Sequence, residues 1–164
     1  MPLVTGDFSK DGLALFFSGA VYDINAASLG RVVRVAGRLA GARVNVFGPN
    51  PRKLLECHDL LAPHVQTGFF THRADLLAFM ATQDVLLACL SLADQSWVGS
   101  KELSTIFSTK LPEYFAQGRP LLVHCPNDYF LARFVREHDC AWVVSERSED
   151  AIVRTIEQIR SDAG

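Results

Sequence analysis

The chain has 164 residues, of which 49% are hydrophobic and 21% are charged, and its formal net charge is −2. This length fits one domain that can bury a sizeable hydrophobic core. The mixed, nearly balanced charge argues against a chain built to coat nucleic acid and against a polybasic membrane anchor.

No targeting or membrane-spanning segment is visible in the sequence. The start of the chain lacks the apolar stretch of a signal peptide, and no apolar run is long enough to cross a bilayer. We therefore expect a cytoplasmic protein, which would contact a membrane only through a further domain.

The cysteines and histidines do not show the pattern of a disulfide framework or of a metal site. No two cysteines form a Cys-x-x-Cys pair, and Cys89 and Cys125 lie within or directly after apolar runs. We interpret all the cysteines as small buried hydrophobes in a reducing compartment. The closest approach to a metal cluster is Cys57-His58 with His64, whose spacing matches no standard zinc site. No bound metal is therefore expected.

The predicted elements alternate between strands and helices along the chain. Residues 1–12 are polar and irregular, and they read as a linker or as the edge of the chain, before a domain over 13–164. Short apolar runs predict strands at 13–17, 43–47, 65–67, 84–90, 121–124 and 141–144. Helices are predicted at 25–40, 51–59, 73–83, within 107–120, at 129–137 and from 149 onward.

The starts and the exposed faces of the helices follow from capping residues and from the helical period. Asn25 and Thr71 are the predicted N-caps of the first and third helices. In the first helix the apolar residues keep to one face, which places Arg31 on the opposite, exposed face together with Arg34 and Arg38.

Wholly apolar strands that alternate with helices indicate a parallel sheet covered on both faces. Right-handed crossovers then give an α/β fold, a doubly wound, six-stranded, Rossmann-like parallel sheet with the strand order 3-2-1-4-5-6. Such sheets bind ligands at the carboxyl ends of strands 1 and 4, where the strand order reverses. We therefore expect the functional site in the loops over 18–25 and 91–109.

The stretch Phe107–Pro120, FSTKLPEYFAQGRP, follows the second of these loops and contains the strongest site candidates. Ser108, Thr109 and Lys110 would lie at a helix N-terminus, where free N–H groups, hydroxyls and an ammonium suit a phosphate. Glu113 could accept hydrogen bonds from a pair of sugar hydroxyls, such as those of a ribose. The other interpretation is structural: a helix cap, a solvated lysine–glutamate pair, and a Gly-Arg-Pro turn into strand 5.

Gly19 ends strand 1 at the same crevice, and Gly48 ends strand 2. Each could let a ligand phosphate approach the backbone, or could be a plain turn glycine. The absence of a G-x-G-x-x-G after strand 1 disfavours a dinucleotide oxidoreductase, and the absence of a Walker A sequence excludes ATP hydrolysis of that type. Asp23 could be a base or a solvated turn residue. The aromatic residues that could stack on a base, or belong to the core, are Tyr22, Phe69, Phe70 and Trp97.

Three stretches resemble the C-terminal, donor-binding domain of GT-B glycosyltransferases of the large family-4-like group. Leu15–Ala20 resembles the first strand and its glycine turn, and Phe107–Pro120 with Leu121–His124 resembles the donor-binding helix and the next strand. Cys140–Ser145 and the helix after it resemble the closing strand and helix. The resemblance covers residues 13–160, and its central stretch is the most specific part.

The resemblance implies that this domain binds a nucleotide-diphosphate sugar as its substrate and needs no cofactor. Matched residue by residue, it implies that Ser108, Thr109 and Lys110 hold the diphosphate. It further implies that Glu113 holds the ribose hydroxyls and that Gly19 approaches the phosphates.

Further matches and departures concern the base, the sugar and the charge of the donor. The base would lie against the loop after strand 3, near Phe70 and Thr71. Many members carry a second glutamate eight positions before the ribose-binding one, where this chain has Thr105. Many also carry an arginine and a lysine after strand 1, whereas Ala20–Asn25 contains no basic residue. Lys110 is therefore the residue expected to neutralise the charge of the diphosphate. No catalytic residue is assigned.

The resemblance implies the donor-binding half of a glycosyltransferase of polysaccharide or glycoconjugate synthesis. Such enzymes bind the acceptor on an N-terminal Rossmann-like domain, which this sequence does not supply, so we expect little or no turnover by the chain alone. One alternative is a flavodoxin-like or receiver-type binding or signalling module, although a receiver needs an acidic pair where this chain has Ser18-Gly19. Another is a non-catalytic partner subunit with the same fold.

Overall fold

The structure of the chain is a computed structural model that describes residues 12–162. The sequence-predicted linker, residues 1–12, lies outside the described residues except for Gly12. The strands are β1 (Ala14–Ser18), β2 (Arg43–Phe47), β3 (Val65–Gly68), β4 (Val85–Cys89), β5 (Leu121–His124) and β6 (Trp142–Val144). The helices are α1 (Asp23–Arg38), α2 (Pro51–Cys57), α3 (Arg73–Ala81), α4 (Ser100–Thr105), α5 (Leu111–Ala116), α6 (Phe130–Glu137) and α7 (Glu149–Asp162).

Within residues 12–162, six parallel strands form one sheet with the order β3-β2-β1-β4-β5-β6. The sequence prediction of a doubly wound sheet with this strand order is therefore confirmed. Leu15 of β1 lies opposite Val44 of β2 on one side and Val85 of β4 on the other. Because the chain leaves β1 in one direction and returns to its other side at β4, a crevice forms at the carboxyl ends of these two strands.

The central strands β1, β4 and β5 are buried on both faces of the sheet, which explains why they read as nearly continuous apolar runs. Leu15 and Leu122 belong to the core that α1 and α7 cover. Phe16 and Leu121 belong to the core on the other face, which α3, α4, α5 and α6 cover. These two cores fix the carboxyl ends of β1 and β4 and the helices that follow them.

The first helix differs from the sequence prediction at its start and on its outer face. It begins at Asp23 rather than at a cap formed by Asn25, whose side chain instead accepts a hydrogen bond from the Tyr22 N–H at 3.0 Å. Arg31 is only 5% exposed, so its predicted place on the solvent face was wrong. Its guanidinium donates to the Gln95 side chain at 2.6 Å, because the short 3₁₀ turn after β4 packs over this part of α1.

Two local predictions about capping and burial also need correction. His72, rather than Thr71, occupies the N-cap position of α3. Cys57 is exposed rather than buried, since it ends α2 on the surface. Cys89 and Cys125 are buried as predicted, and burial raises the pKa of both thiols. The helix α4 was not predicted, because six residues are too few to show a helical period.

His124, at the end of β5, is a fully buried histidine with one satisfied ring nitrogen. Its Nδ1 lies 2.9 Å from the Val144 carbonyl oxygen, so Nδ1 carries the proton and donates it. Its Nε2 is buried and accepts no hydrogen bond from the described residues. Burial lowers the pKa of His124 below its ordinary value, and the nearby Arg31 guanidinium lowers it further.

We expect the free energy of unfolding to fall as the pH drops below about 6.5, the pKa of a histidine in an unfolded chain. Below that pH the unfolded chain binds a proton that native His124 does not, which favours unfolding by up to about 1.4 kcal/mol per pH unit. The loss of stability stops growing once the pH falls below the lowered pKa of native His124. His124→Gln, whose amide can still donate to the Val144 carbonyl, should flatten this slope in urea titrations between about pH 5.5 and 7.5. An equally steep dependence of stability on pH in the variant would show that His124 is not its source.

Candidate functional site

A cleft of about 340 Å³ opens between the carboxyl ends of β1 and β4. Its lining includes Gly19, Ser108, Thr109 and Lys110, which are four of the sequence-predicted site residues. The remaining wall is mainly apolar and comes from the ends of β1 and β4, the start of α1 and the segment before α5. The structure thus brings these four residues together at the switch point of the sheet.

A second cavity of about 170 Å³ adjoins the cleft at the carboxyl ends of β2 and β3. Gly19 and Lys110 line both cavities, so they lie at the junction between them. Phe69 and Phe70 also line the second cavity. Phe70 packs on Phe47 with ring centroids 5.1 Å apart, whereas Phe69 is 62% exposed and leaves a ring face free to contact a ligand. The loop after β3, near which the resemblance implies the base would lie, therefore borders the second cavity.

Gly19 has a backbone conformation that favours glycine, and it leaves open space beside it. Its φ is +129°, and a Cβ built on it would meet no atom within 4 Å. Its own N–H donates to the Phe47 carbonyl at 2.8 Å, so that N–H is not offered to a ligand. What Gly19 contributes to the cleft is the absence of a side chain. Gly48, in contrast, packs against it, since a Cβ there would lie 2.3 Å from the Gly19 carbonyl oxygen.

The segment before α5 combines a helix cap with the cationic group of the cleft. Lys110 occupies the N-cap position, and Pro112 lies in the first turn, where its missing N–H costs no hydrogen bond. The Ser108 hydroxyl oxygen accepts a hydrogen bond from the Lys110 N–H at 3.3 Å. The hydroxyl hydrogen of Ser108 can still be donated to a ligand oxygen. The structural and the functional interpretations of this residue are thus compatible.

Glu113, the fifth predicted site residue, lies behind the cleft rather than on its lining. Its side chain is 17% exposed, and Oε1 accepts a hydrogen bond from Arg73 Nε at 2.9 Å. Oε2 is buried, accepts no hydrogen bond from the described residues, and lies 4.0 Å from Lys110 Nζ. A buried carboxylate oxygen without a donor is costly, so this atom is suited to accept a hydrogen bond from a ligand.

The charge around the cleft is small. In the part of the chain that the structure describes, Lys110 is the only charged side chain on the lining of either cavity. The Glu113 carboxylate, 4.0 Å behind it, offsets part of its positive potential. The cleft therefore offers one cation to an anion, and the attraction of such a partly exposed charge is screened by salt.

Several residues that organise the site have no local sequence signal. Tyr114 is buried, and its hydroxyl oxygen accepts the Ser18 N–H at 2.8 Å, which joins α5 to the end of β1. Asp23 has a structural role, because its Oδ2 accepts hydrogen bonds from the Ser96 hydroxyl and from the Trp97 N–H. It thereby holds the loop after β4 against the start of α1. Trp97 itself is 85% exposed and does not belong to the core.

The described residues contain neither a cluster suited to a metal ion nor a membrane-spanning helix. Over residues 12–162, no group of three or more histidine, cysteine, aspartate or glutamate side chains is arranged to hold a metal ion. No helix in the same range is long and apolar enough to span a bilayer.

Comparison with known proteins identifies the fold. No family model and no curated protein sequence matches the chain. HepE from Anabaena, solved in complex with UDP-glucose, superposes with a TM-score of 0.64 at 13% identity, over 93% of this chain and 40% of that chain. An α,α-trehalose-phosphate synthase (UDP-forming) from Burkholderia vietnamiensis gives 0.59 at 11% identity, over 94% and 39%. The C-terminal CMP-Kdo binding domain of WaaA from Acinetobacter baumannii gives 0.55 at 10% identity, over 93% and 82%.

The coverage shows which part of these proteins the chain resembles. It spans about two fifths of the synthase and of HepE, but most of the separately solved C-terminal domain of WaaA. At identities this low the likeness concerns the fold. The chain has the Rossmann-like α/β fold of one half of a GT-B glycosyltransferase, as the sequence resemblance implied.

Proposed function

We propose that this chain is the donor-binding half of a glycosyltransferase, which transfers a sugar from a nucleotide-sugar to an acceptor in polysaccharide or glycoconjugate synthesis. The observation that carries the proposal is the cleft at the switch point, where Gly19, Ser108, Thr109 and Lys110 meet in front of Glu113. HepE, solved in complex with UDP-glucose, and the CMP-Kdo binding domain of WaaA have the same fold, which supports this choice of ligand.

The donor would lie across both cavities. Its base would contact the loop that contains Phe69 and Phe70, its ribose would meet Glu113, and its diphosphate would pass between Gly19 and Lys110. During transfer the bond between the sugar and the diphosphate breaks, and the leaving nucleotide keeps the bonding electrons. The Lys110 ammonium would stabilise the charge that develops on it. The oxygen of the acceptor hydroxyl, bound on a separate acceptor domain, would form the new bond to the sugar, and its proton would pass to the leaving diphosphate or to solvent.

This assignment also accounts for the weak charge of the cleft. A single cation per diphosphate is consistent with a domain that needs a second domain to complete the site, and we propose that the isolated chain binds the donor with little or no turnover. A flavodoxin-like or receiver-type module is not favoured, because β1 ends in Ser18-Gly19 without an acidic pair. A non-catalytic subunit that had lost the donor would need neither Lys110 in the cleft nor Glu113 behind it.

Calorimetric titration of the chain with UDP, GDP, ADP and CMP tests the proposal. We expect saturable binding of at least one nucleotide, and Lys110→Met and Glu113→Gln should each weaken it about tenfold, the cost of one charge-assisted hydrogen bond. Affinity should also fall with added salt.

Lys53→Met is the matched control for Lys110, because Lys53 is an exposed lysine on α2 that lines neither cavity. Its variant should bind nucleotide as the unmodified chain does. Saturable binding that survives both cleft substitutions would show that the site lies elsewhere, and robust sugar transfer by the chain alone would contradict the proposed need for an acceptor domain.

A further inference from the structure

The carboxylate that is proposed to meet the ribose is held from outside the cleft by an arginine on another helix. Arg73 is the first residue of α3, directly after the loop that borders the second cavity, and its Nε donates to Glu113 Oε1 at 2.9 Å. Forty residues of sequence separate the two partners. The ion pair therefore joins the base side of the site to the helix that contains Glu113.

The two oxygens of Glu113 have different surroundings. Arg73 occupies Oε1, while Oε2 is buried, accepts no hydrogen bond from the described residues and lies 4.0 Å from Lys110 Nζ. The Lys110 side chain is 39% exposed, so its ammonium has room to turn away from this oxygen and toward a bound phosphate. A carboxylate fixed by one oxygen presents the other in a defined direction, which lowers the entropy lost when a hydroxyl binds to it.

We propose that Arg73 is a positioning residue that orients Glu113 toward the ribose hydroxyls and thereby sets the preference for a ribonucleotide. This inference rests on the proposed function and adds to it a determinant of ligand specificity. Arg73 itself contacts neither the base nor the phosphates in this role. Its effect is therefore confined to the part of the affinity that depends on the ribose hydroxyls.

The ion pair contributes little to the stability of the fold. The Arg73 side chain is 72% exposed, so solvent screens much of its attraction to Glu113, whose side chain is 17% exposed. The variant Arg73→Gln is therefore expected to fold normally. A matched control is Arg52→Gln, because Arg52 is 74% exposed, donates from its Nε to Glu56 at 3.2 Å and lies on α2 outside both cavities.

The test measures the affinities of the 164-residue chain for UDP and for 2′,3′-dideoxy-UDP, or for the corresponding GDP, ADP or CMP pair if that base binds more tightly. The unmodified chain should bind the ribonucleotide about tenfold more tightly than its dideoxy analogue. Arg73→Gln should reduce this ratio about threefold, and Arg52→Gln should leave it unchanged. The affinity of Arg73→Gln for the dideoxy analogue should equal that of the unmodified chain.

Each outcome separates the inference from the function on which it rests. If Arg73→Gln leaves the ratio of ribonucleotide to dideoxynucleotide affinity unchanged while Glu113→Gln lowers it to about one, the role of Arg73 is overturned. The proposed function is then unaffected. Equal loss of affinity for both nucleotides in Arg73→Gln shows a general structural role and also overturns it. If the unmodified chain binds no nucleotide, the proposed function fails and the inference fails with it.

Discussion

Replacing Arg119 with methionine is expected to lower the free energy of unfolding by about 3–5 kcal/mol. Arg119 lies between α5 and β5, and its side chain is only 8% exposed. Its Nη2 lies 3.7 Å from Asp84 Oδ1, and its Nε donates to the Gln83 carbonyl. Asp84 is 1% exposed, and its Oδ2 accepts the Ala14 N–H at 2.6 Å. Methionine would fill a similar volume but would remove the guanidinium beside a buried carboxylate, which is costly in a medium of low dielectric constant.

The double variant Asp84→Asn with Arg119→Met separates charge from packing. An asparagine oxygen can still accept the Ala14 N–H, and no buried charge remains, so we expect the double variant to be more stable than Arg119→Met alone. Urea denaturation of the two single variants and the double variant measures the coupling. If Arg119→Met loses less than about 1 kcal/mol, or if the two effects simply add, Arg119 does not compensate the buried charge of Asp84.

This pair also shows what the sequence could and could not reveal. The Gly-Arg-Pro segment was interpreted as a turn, and Gly118 does end α5 with a φ of +59°. The arginine between the glycine and the proline carries a further role, because the carboxylate that it approaches belongs to a residue outside the segment. No local pattern distinguishes a buried arginine from a solvated one.

The sheet was predictable because its signal is local. Parallel strands covered on both faces are continuous apolar runs, and right-handed connections then restrict the strand order. The same strand order predicted the position of the crevice, and therefore that Gly19 and Lys110 lie beside it. Arg31 was misplaced because a charged residue on a helix is expected to face solvent, whereas here the turn at Gln95 covers it.

The residues that hold the site side chains in place were not predictable, because their contacts join positions that are far apart in the sequence. Arg73 and Glu113 are 40 residues apart, and Tyr114 and Ser18 are 96 apart. A spacing pattern reports which residues share a helix face or a strand face, but it does not report which helices pack together. The sequence therefore indicated four residues that line the cleft, and the structure was needed to show which residues hold them in place.

Replacing Tyr114 with phenylalanine is expected to destabilise the fold by about 2 kcal/mol and to lower Tm by about 5 °C. The Tyr114 hydroxyl is the acceptor for the Ser18 N–H at 2.8 Å, and the tyrosine is 2% exposed. Burial raises the pKa of Tyr114, so the phenol stays protonated at neutral pH. Phenylalanine preserves the packing of the ring but leaves a buried N–H without its partner, and that desolvation penalty is the source of the loss.

The same substitution should also weaken nucleotide binding, because this hydrogen bond joins the residue before Gly19 to the helix that follows Lys110. Without it the two walls of the cleft are no longer held at a fixed separation, so we expect nucleotide affinity to fall severalfold at a temperature where the variant is still folded.

The matched control is Tyr129→Phe, which removes a hydroxyl that donates to the Ser91 carbonyl at 3.1 Å. A carbonyl tolerates the loss of a donor better than an N–H tolerates the loss of an acceptor, so the control should lose less stability. Calorimetric titration and thermal unfolding of both variants decide the point. A Tyr114→Phe chain that melts early but binds nucleotide normally would show that the bond stabilises the fold without shaping the cleft.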